Sequence, residues 1–158
     1  MTIQTGEQIP AIDLTVMGEQ GPEKFNLLQR CQGKKVVLFA VPGAFTPGCS
    51  KTHLPGFVRL AEEIKAKGVD EIICTSVNDV FVMAAWGEAH QANAITMAAD
   101  GNGELAAALG LSLDASGNGM GTRSKRYAMI IDNANVGYIG VDQKGIDVSS
   151  AETVLAQL

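Results

Sequence analysis

Val36-Val37-Leu38-Phe39-Ala40-Val41-Pro42-Gly43-Ala44-Phe45-Thr46-Pro47-Gly48-Cys49 is the stretch from which the rest of the chain can be read. Its first six residues are apolar and largely β-branched or aromatic. They are too few for a helix and suit a strand buried on both faces, as in the middle of a sheet covered by helices. Pro42-Gly43 ends the strand. Past the loop, Leu54, Phe57, Val58, Ala61 and Ile64 recur at helical spacing and make one apolar stripe. The spacing predicts a helix starting near Cys49 or Ser50 and stopping at Gly68, with Lys65 and Lys67 in its last turn. Pro55 lies past the first turn and is expected to kink it.

Working outward, Ile12, Leu14 and Val16 alternate as in a short strand, and Gly21-Pro22 reads as a turn. Cys31 then falls in an expected surface loop. Downstream, Glu71–Val77 is a second buried strand with Cys74 packed inside it, and Asn78-Asp79 offers a helix N-cap. Val80 to about Asn93 reads as a helix carrying the only tryptophan, Trp86. A third strand (Ile95–Ala98), a short helix (Glu104–Leu109) capped by Gly110, and an aperiodic segment from Leu111 to Lys125 follow. Arg126–Asp132 and Val136–Val141 bracket Asn133-Ala134-Asn135 as a hairpin, and a last helix runs from about Ser150 to Gln157. Alternation first and a hairpin last predict an α/β fold with a mixed sheet flanked by helices, thioredoxin-like, with an N-terminal β extension. The 158 residues are read as a single domain spanning 1–158.

Composition narrows the function. The hydrophobic fraction of 46% is ordinary for a globular chain, and the formal net charge is −5. A mildly acidic chain without basic runs does not suit nucleic acid or an anionic membrane surface. No stretch approaches the length of a spanning helix, and Met1–Glu7 lacks the pattern of a secretory leader. The three cysteines, Cys31, Cys49 and Cys74, form neither a disulfide framework nor a CxxC pattern. These features point to a cytoplasmic protein with reduced thiols.

Chemistry concentrates at Cys49. The residue follows a central strand and opens a helix, where free amides and the helix dipole favour an anion such as a thiolate. For a generic thiol, a fall in pKa from about 8.5 to about 6 multiplies the thiolate fraction at pH 7 about 30-fold, while nucleophilicity falls about 10-fold. The net gain of about 3-fold is small, so donors that stabilise charge in the transition state must contribute more. The Thr46 hydroxyl, the Gly48 and Cys49 amides and a nearby cation could supply them. His53, one turn on, is expected to adjust hydrogen bonding. His90 is the only other histidine, so a zinc site is not expected. His90 reads as polar surface, and Phe81 and Trp86 as core or interface. No nucleotide-binding loop is present.

The form Pro42-x-x-x-Thr46-x-x-Cys49 resembles the active-site signature of the peroxiredoxins. Val41–Phe57, Ser76–Trp86 and Thr122-Arg123-Ser124-Lys125-Arg126-Tyr127 together resemble the type II, peroxiredoxin-5-like subgroup, over most of the chain from Ile9 on. The resemblance implies a thiol peroxidase for hydrogen peroxide and organic hydroperoxides, with no cofactor beyond an external thiol reductant. It implies Cys49 as peroxidatic cysteine, Thr46 as the hydroxyl that contacts peroxide and thiolate, Pro42 as their shield and Arg126 as the cation at the sulfur. Gly48 and His53 are expected on the substrate side. It also implies a homodimer, with Phe45 and Trp86 at the interface. The sequence departs from relatives that carry a resolving cysteine near the C-terminus, since Gly145–Ser150 has none. One-Cys chemistry is therefore expected, with glutathione and glutaredoxin or thioredoxin as reductant and Cys31 as fallback resolving thiol. A peroxide-sensing binding protein using the same thiol is the rival reading.

Overall fold

The computed structural model describes all residues, 1–158. Strands β1 (Asp13–Gly18) and β2 (Gly21–Asn26) form a hairpin, followed by α1 (Leu27–Cys31) and β3 (Lys35–Ala40). A π-helical turn, Cys49–His53, leads into α2 (Leu54–Ala66). Then come β4 (Glu71–Ser76), α3 (Val80–Ala89), β5 (Thr96–Ala99), α4 (Glu104–Leu109), β6 (Ser112–Asp114), β7 (Thr122–Ser124), β8 (Arg126–Asp132), β9 (Asn135–Asp142) and α5 (Ala151–Gln157).

Seven strands make one mixed sheet in the order β2-β1-β5-β4-β3-β8-β9, and β6-β7 make a separate pair. β3 runs parallel to β4, and β4 to β5, as expected for strands joined through helices. β8 lies antiparallel to β3, and β9 to β8. β1 pairs antiparallel with β5, which attaches the N-terminal hairpin as the expected β extension.

The all-apolar run of β3 serves two cores. Val37 and Phe39 face one cluster together with Val41, α2, α3 and α5, which also holds Cys49 and Cys74. Val36, Leu38 and Ala40 face the other, with α1 and α4. Each of the valine, leucine and phenylalanine side chains stabilises the fold by about 1.5–3 kcal/mol on burial. Phe39 stacks on Phe57 with ring centroids 3.9 Å apart, which seats α2 directly behind the strand that precedes Cys49.

The departures from the sequence reading have local causes. Gly21-Pro22 is the start of β2 rather than a turn, and the turn falls at Glu19-Gln20. β2 is an exposed edge strand, where proline is tolerated and no apolar alternation is required. Cys31 is fully buried at the end of α1, not in a surface loop. α3 ends at Ala89, four residues short of the expected Asn93. Within Leu111–Lys125 lie β6, a turn of 3-10 helix and β7, too short and polar to show a period. Pro55 does not kink the interior of a helix. It sits in the first turn of α2, where a missing amide costs least, and the irregularity is the preceding π turn, in which the Leu54 amide donates to Cys49 O.

Candidate active site

Cys49 lies just past the carboxyl end of β3 in the first residue of the π turn, and only 1% of it is exposed. The loop before it is fixed from several sides. Thr46 N and Thr46 Oγ1 both donate to Gly43 O, at 3.3 and 2.6 Å. Ser50 N donates to Thr46 O at 2.9 Å. A Cβ at Gly43 would meet Thr46 Cγ2 and Met120 Cε at 3.0 Å, so a larger residue in this close turn would have to push both side chains aside. Phe45 holds a left-handed φ of 65°, a strain of the kind that collects at functional loops.

Residues outside the motif supply the outer supports. Asn78 Oδ1 accepts from the Ala44 amide at 2.9 Å and from Ser76 Oγ at 2.6 Å. Arg123 donates to Met120 O and to Val77 O, both at 2.9 Å, which ties β7 to the end of β4. Trp86 is fully buried and donates its indole N–H to Ser50 Oγ at 3.0 Å. That burial removes Trp86 from the expected interface, whereas Phe45 and Phe81 are 55% and 64% exposed.

Arg126 begins β8, and the antiparallel pairing of β8 with β3 brings it to the sulfur. Its Nη2 donates to Cys49 Sγ at 3.2 Å, and its Nη1 lies 2.8 Å from His53 Nδ1. The guanidinium thus forks between the thiol sulfur and an imidazole. The amides of Gly48 and Cys49 pair with no protein acceptor and remain free donors at the start of the turn. Pro42, Gly48, Leu113, Lys125, Arg126 and Ile146 line a groove of about 490 Å³ beside this fork. Pro42 and Gly48 thus form part of the groove wall, and Thr46 stands one turn from the sulfur with its hydroxyl hydrogen directed to Gly43.

His53 does not line that groove. It is 1% exposed, its ring packed at a tilt against both members of the Phe39–Phe57 stack, with centroids at 5.1 and 5.6 Å. Its Nε2 donates to Ser149 O at 2.7 Å. Burial pushes its pKa down to about 4; the Ser149 carbonyl and Asp142 oppose this, and Arg126 adds to it. The expected substrate contact of His53 is thus replaced by contacts with protein groups on both ring nitrogens. Asp142, at the end of β9, accepts from Ser149 Oγ at 2.7 Å and from the amides of Asp147, Ser149 and Val148 at 2.9, 2.9 and 3.3 Å. Burial alone would raise its pKa, but these hydrogen bonds outweigh that and hold it below the usual carboxylate range.

The remaining thiols differ. Burial, with Glu71 adding to it, pushes Cys31 up to about 12, and Cys31 packs on the opposite face of the sheet from Cys49. Cys74 is fully buried on β4, and burial raises its pKa well above that of an ordinary thiol. Neither is poised as a thiolate.

Sequence reasoning missed Asn78 and Arg123 as loop supports and Asp142 and Ser149 as the frame around His53. The one signal for Asp142 is its place at a strand end before Gln143-Lys144-Gly145, where a carboxylate commonly gathers loop amides.

Comparison with known proteins places this geometry among enzymes. The Redoxin family profile matches residues 4–155. The chain is 55% identical to Peroxiredoxin-2D of Arabidopsis thaliana over 128 residues, 80% of this chain and 79% of that protein. It superposes with a TM-score of 0.95 on reduced Prx3 from Vibrio vulnificus, crystallised in complex with hydrogen peroxide, at 52% identity over 98% of both chains. Peroxiredoxin 5 from Alvinella pompejana matches with a TM-score of 0.87 at 34% identity, covering 98% of this chain and 97% of that one.

Proposed function

The chain belongs to the Redoxin family and within it to the peroxiredoxins, thiol peroxidases, and from that premise we propose that Cys49 is the peroxidatic sulfur, served by Arg126, Thr46 and Pro42. The observation that carries this assignment is the 3.2 Å contact from Arg126 Nη2 to Cys49 Sγ at the edge of the groove.

The Cys49 thiolate attacks the terminal oxygen of a hydroperoxide in line with the O–O bond. The S–O bond forms as the O–O bond breaks. The hydroxyl group stays on sulfur as sulfenic acid, and the electron pair departs with the other oxygen. That oxygen takes the proton released when the thiol ionised and leaves as water or an alcohol. Arg126 donates to the sulfur and to the oxygens as charge passes along the S–O–O line, and the free Gly48 and Cys49 amides add donors. Thr46 Oγ1, whose own hydrogen goes to Gly43, offers lone pairs to the peroxide hydrogen. Pro42 keeps water from that face. Pro42, Leu113 and Ile146 give an organic hydroperoxide an apolar wall, and Lys125 places an ammonium at the rim.

The sulfenic acid is reduced by external thiol: one thiol forms a mixed disulfide and releases water, and a second frees Cys49 as the external disulfide forms. We assign a one-Cys cycle, with glutathione and glutaredoxin or thioredoxin as reductant and no prosthetic group. The sheet between Cys31 and Cys49 and the full burial of Cys74 support it. We assign the single domain a cytoplasmic place, a reading supported by three cysteines that are all buried and free; no helix is long and apolar enough to cross a membrane. Exposed Phe45 and Phe81 support a homodimer formed near the active site.

The test is intact-mass measurement of wild type, Cys49→Ser and Cys31→Ser after limited peroxide, with steady-state peroxide consumption alongside. Oxygen on Cys49 alone and many turnovers with thiol are expected. A single stoichiometric oxidation without turnover would favour a sensor, and oxidation of Cys49→Ser would refute the assignment.

A further inference from the structure

The ring of contacts behind Arg126 has no part in the chemistry described so far. We infer that His53, framed by Ser149 and Asp142, is a positioning residue that aims the Arg126 guanidinium at the Cys49 sulfur, and that it does so only as a neutral imidazole. A guanidinium has donors and no acceptor, so the 2.8 Å contact of Nη1 with His53 Nδ1 makes Nδ1 the acceptor. The ring hydrogen must then sit on Nε2, which faces the Ser149 carbonyl at 2.7 Å. Both contacts demand the same tautomer, and an imidazolium would set N–H against N–H at Arg126.

The Ser149 carbonyl is in turn held by Asp142, whose carboxylate gathers Ser149 N, Ser149 Oγ and the amides of Asp147 and Val148. Asp142 sits directly across from Arg126 in the β8–β9 register. The chain of contacts Arg126, His53, Ser149, Asp142 thus begins and ends on one rung of the sheet, and the guanidinium is held from both sides, by Sγ and by Nδ1. Lys at position 126 could fill one arm of the fork but not both.

The charged groups around the imidazole are few. Arg126 on β8 and Asp142 on β9 bear on it directly. From the α5 side, Asp147 and Glu152 line a cleft with it. Cys49 and Lys51 lie on its own turn. Burial dominates and keeps the ring neutral until the pH approaches about 4.

The inference rests on Cys49 and Arg126 acting as proposed above. The test is a double-mutant cycle on the second-order rate of Cys49 oxidation by hydrogen peroxide, in His53→Met, Arg126→Met and the double variant. His53→Met fills the site without an equivalent acceptor. It should lower the rate about 10- to 100-fold in wild type, as expected when a catalytic group is misplaced, and less than about 2-fold in Arg126→Met. Equal factors in both backgrounds, or a wild-type rate within about 2-fold for His53→Met, would overturn the inference. His53→Gln can accept from the guanidinium and donate to Ser149, so it should recover most of the loss. Gln cannot titrate, so its rate relative to wild type should rise about 2-fold between pH 7 and pH 4, a ratio in which the titration of Cys49 cancels. A flat ratio overturns the requirement for a neutral ring, and His53→Gln decides this even if His53→Met does not fold. Peroxide turnover by Cys49→Ser would instead place the failure in the assignment of the sulfur.

Discussion

Replacing Arg126 with Met tests how the site lowers its barrier. At 3.2 Å, two unit charges in a medium of effective dielectric about 20 attract by about 5 kcal/mol. Not all of this accelerates the reaction, because the guanidinium already attracts the thiolate before peroxide arrives. Only the increase on passing to the transition state counts, when charge spreads onto the peroxide oxygens. Loss of one such donor in other enzymes costs about 2.7–4 kcal/mol, or about 10²–10³ in rate. Arg126→Met should therefore lower the rate constant for peroxide reduction about 100- to 1000-fold. Stopped-flow fluorescence can follow it, since the single tryptophan, Trp86, bonds to Ser50 in the turn after Cys49. Arg126→Lys should fall in between, because an ammonium cannot serve both Sγ and His53 Nδ1. A rate within about 5-fold of wild type for Arg126→Met, with the fold intact by circular dichroism, would show that the free amides rather than the guanidinium stabilise the departing charge.

Acid stability should carry the signature of His53. Its folded pKa of about 4 lies below the unfolded value of about 6.5, so between these values the unfolded chain binds more protons and stability falls as pH falls. The loss is about 3 kcal/mol in all, absent above pH 7 and complete near pH 4, and His53→Gln should remove it in urea titrations at both pH values; an unchanged pH slope in His53→Gln would refute the burial argument. Cys31→Ser should keep full turnover with the same thiol reductant, because the sheet separates it from Cys49, while losing about 1–3 kcal/mol of stability for a buried hydroxyl; a stall after one turnover would reinstate Cys31 as resolving thiol. Phe57→Ala should cost about 3–5 kcal/mol in chemical denaturation through loss of its stack on Phe39, and a cost under about 1 kcal/mol would mean that α2 is not seated by that pair. Lys125→Met should lower kcat/KM for hydroperoxides bearing a carboxylate more than for uncharged ones, by about 1.5- to 5-fold, and an unchanged ratio would take the ammonium out of the groove.

What the sequence by itself determined lies within single elements. Six apolar residues announce β3, helical spacing announces α2, and the loop between them sets Cys49 at a helix start, because each signal needs only neighbouring residues. The motif with Pro42, Thr46 and Cys49 is local in the same way, and the likeness to known peroxidases singled out Arg126. Tertiary structure alone decided that Arg126 reaches the sulfur from 77 residues away, that the His53 imidazole stands behind it rather than against substrate, and that Asp142 frames the loop holding His53. It also moved Cys31 into the core and Trp86 out of reach of a partner. Those outcomes depend on strand register and on which face of the sheet a helix covers. Neither leaves a periodic trace in the chain, since a shift of one residue in pairing reverses every side chain without changing the sequence pattern.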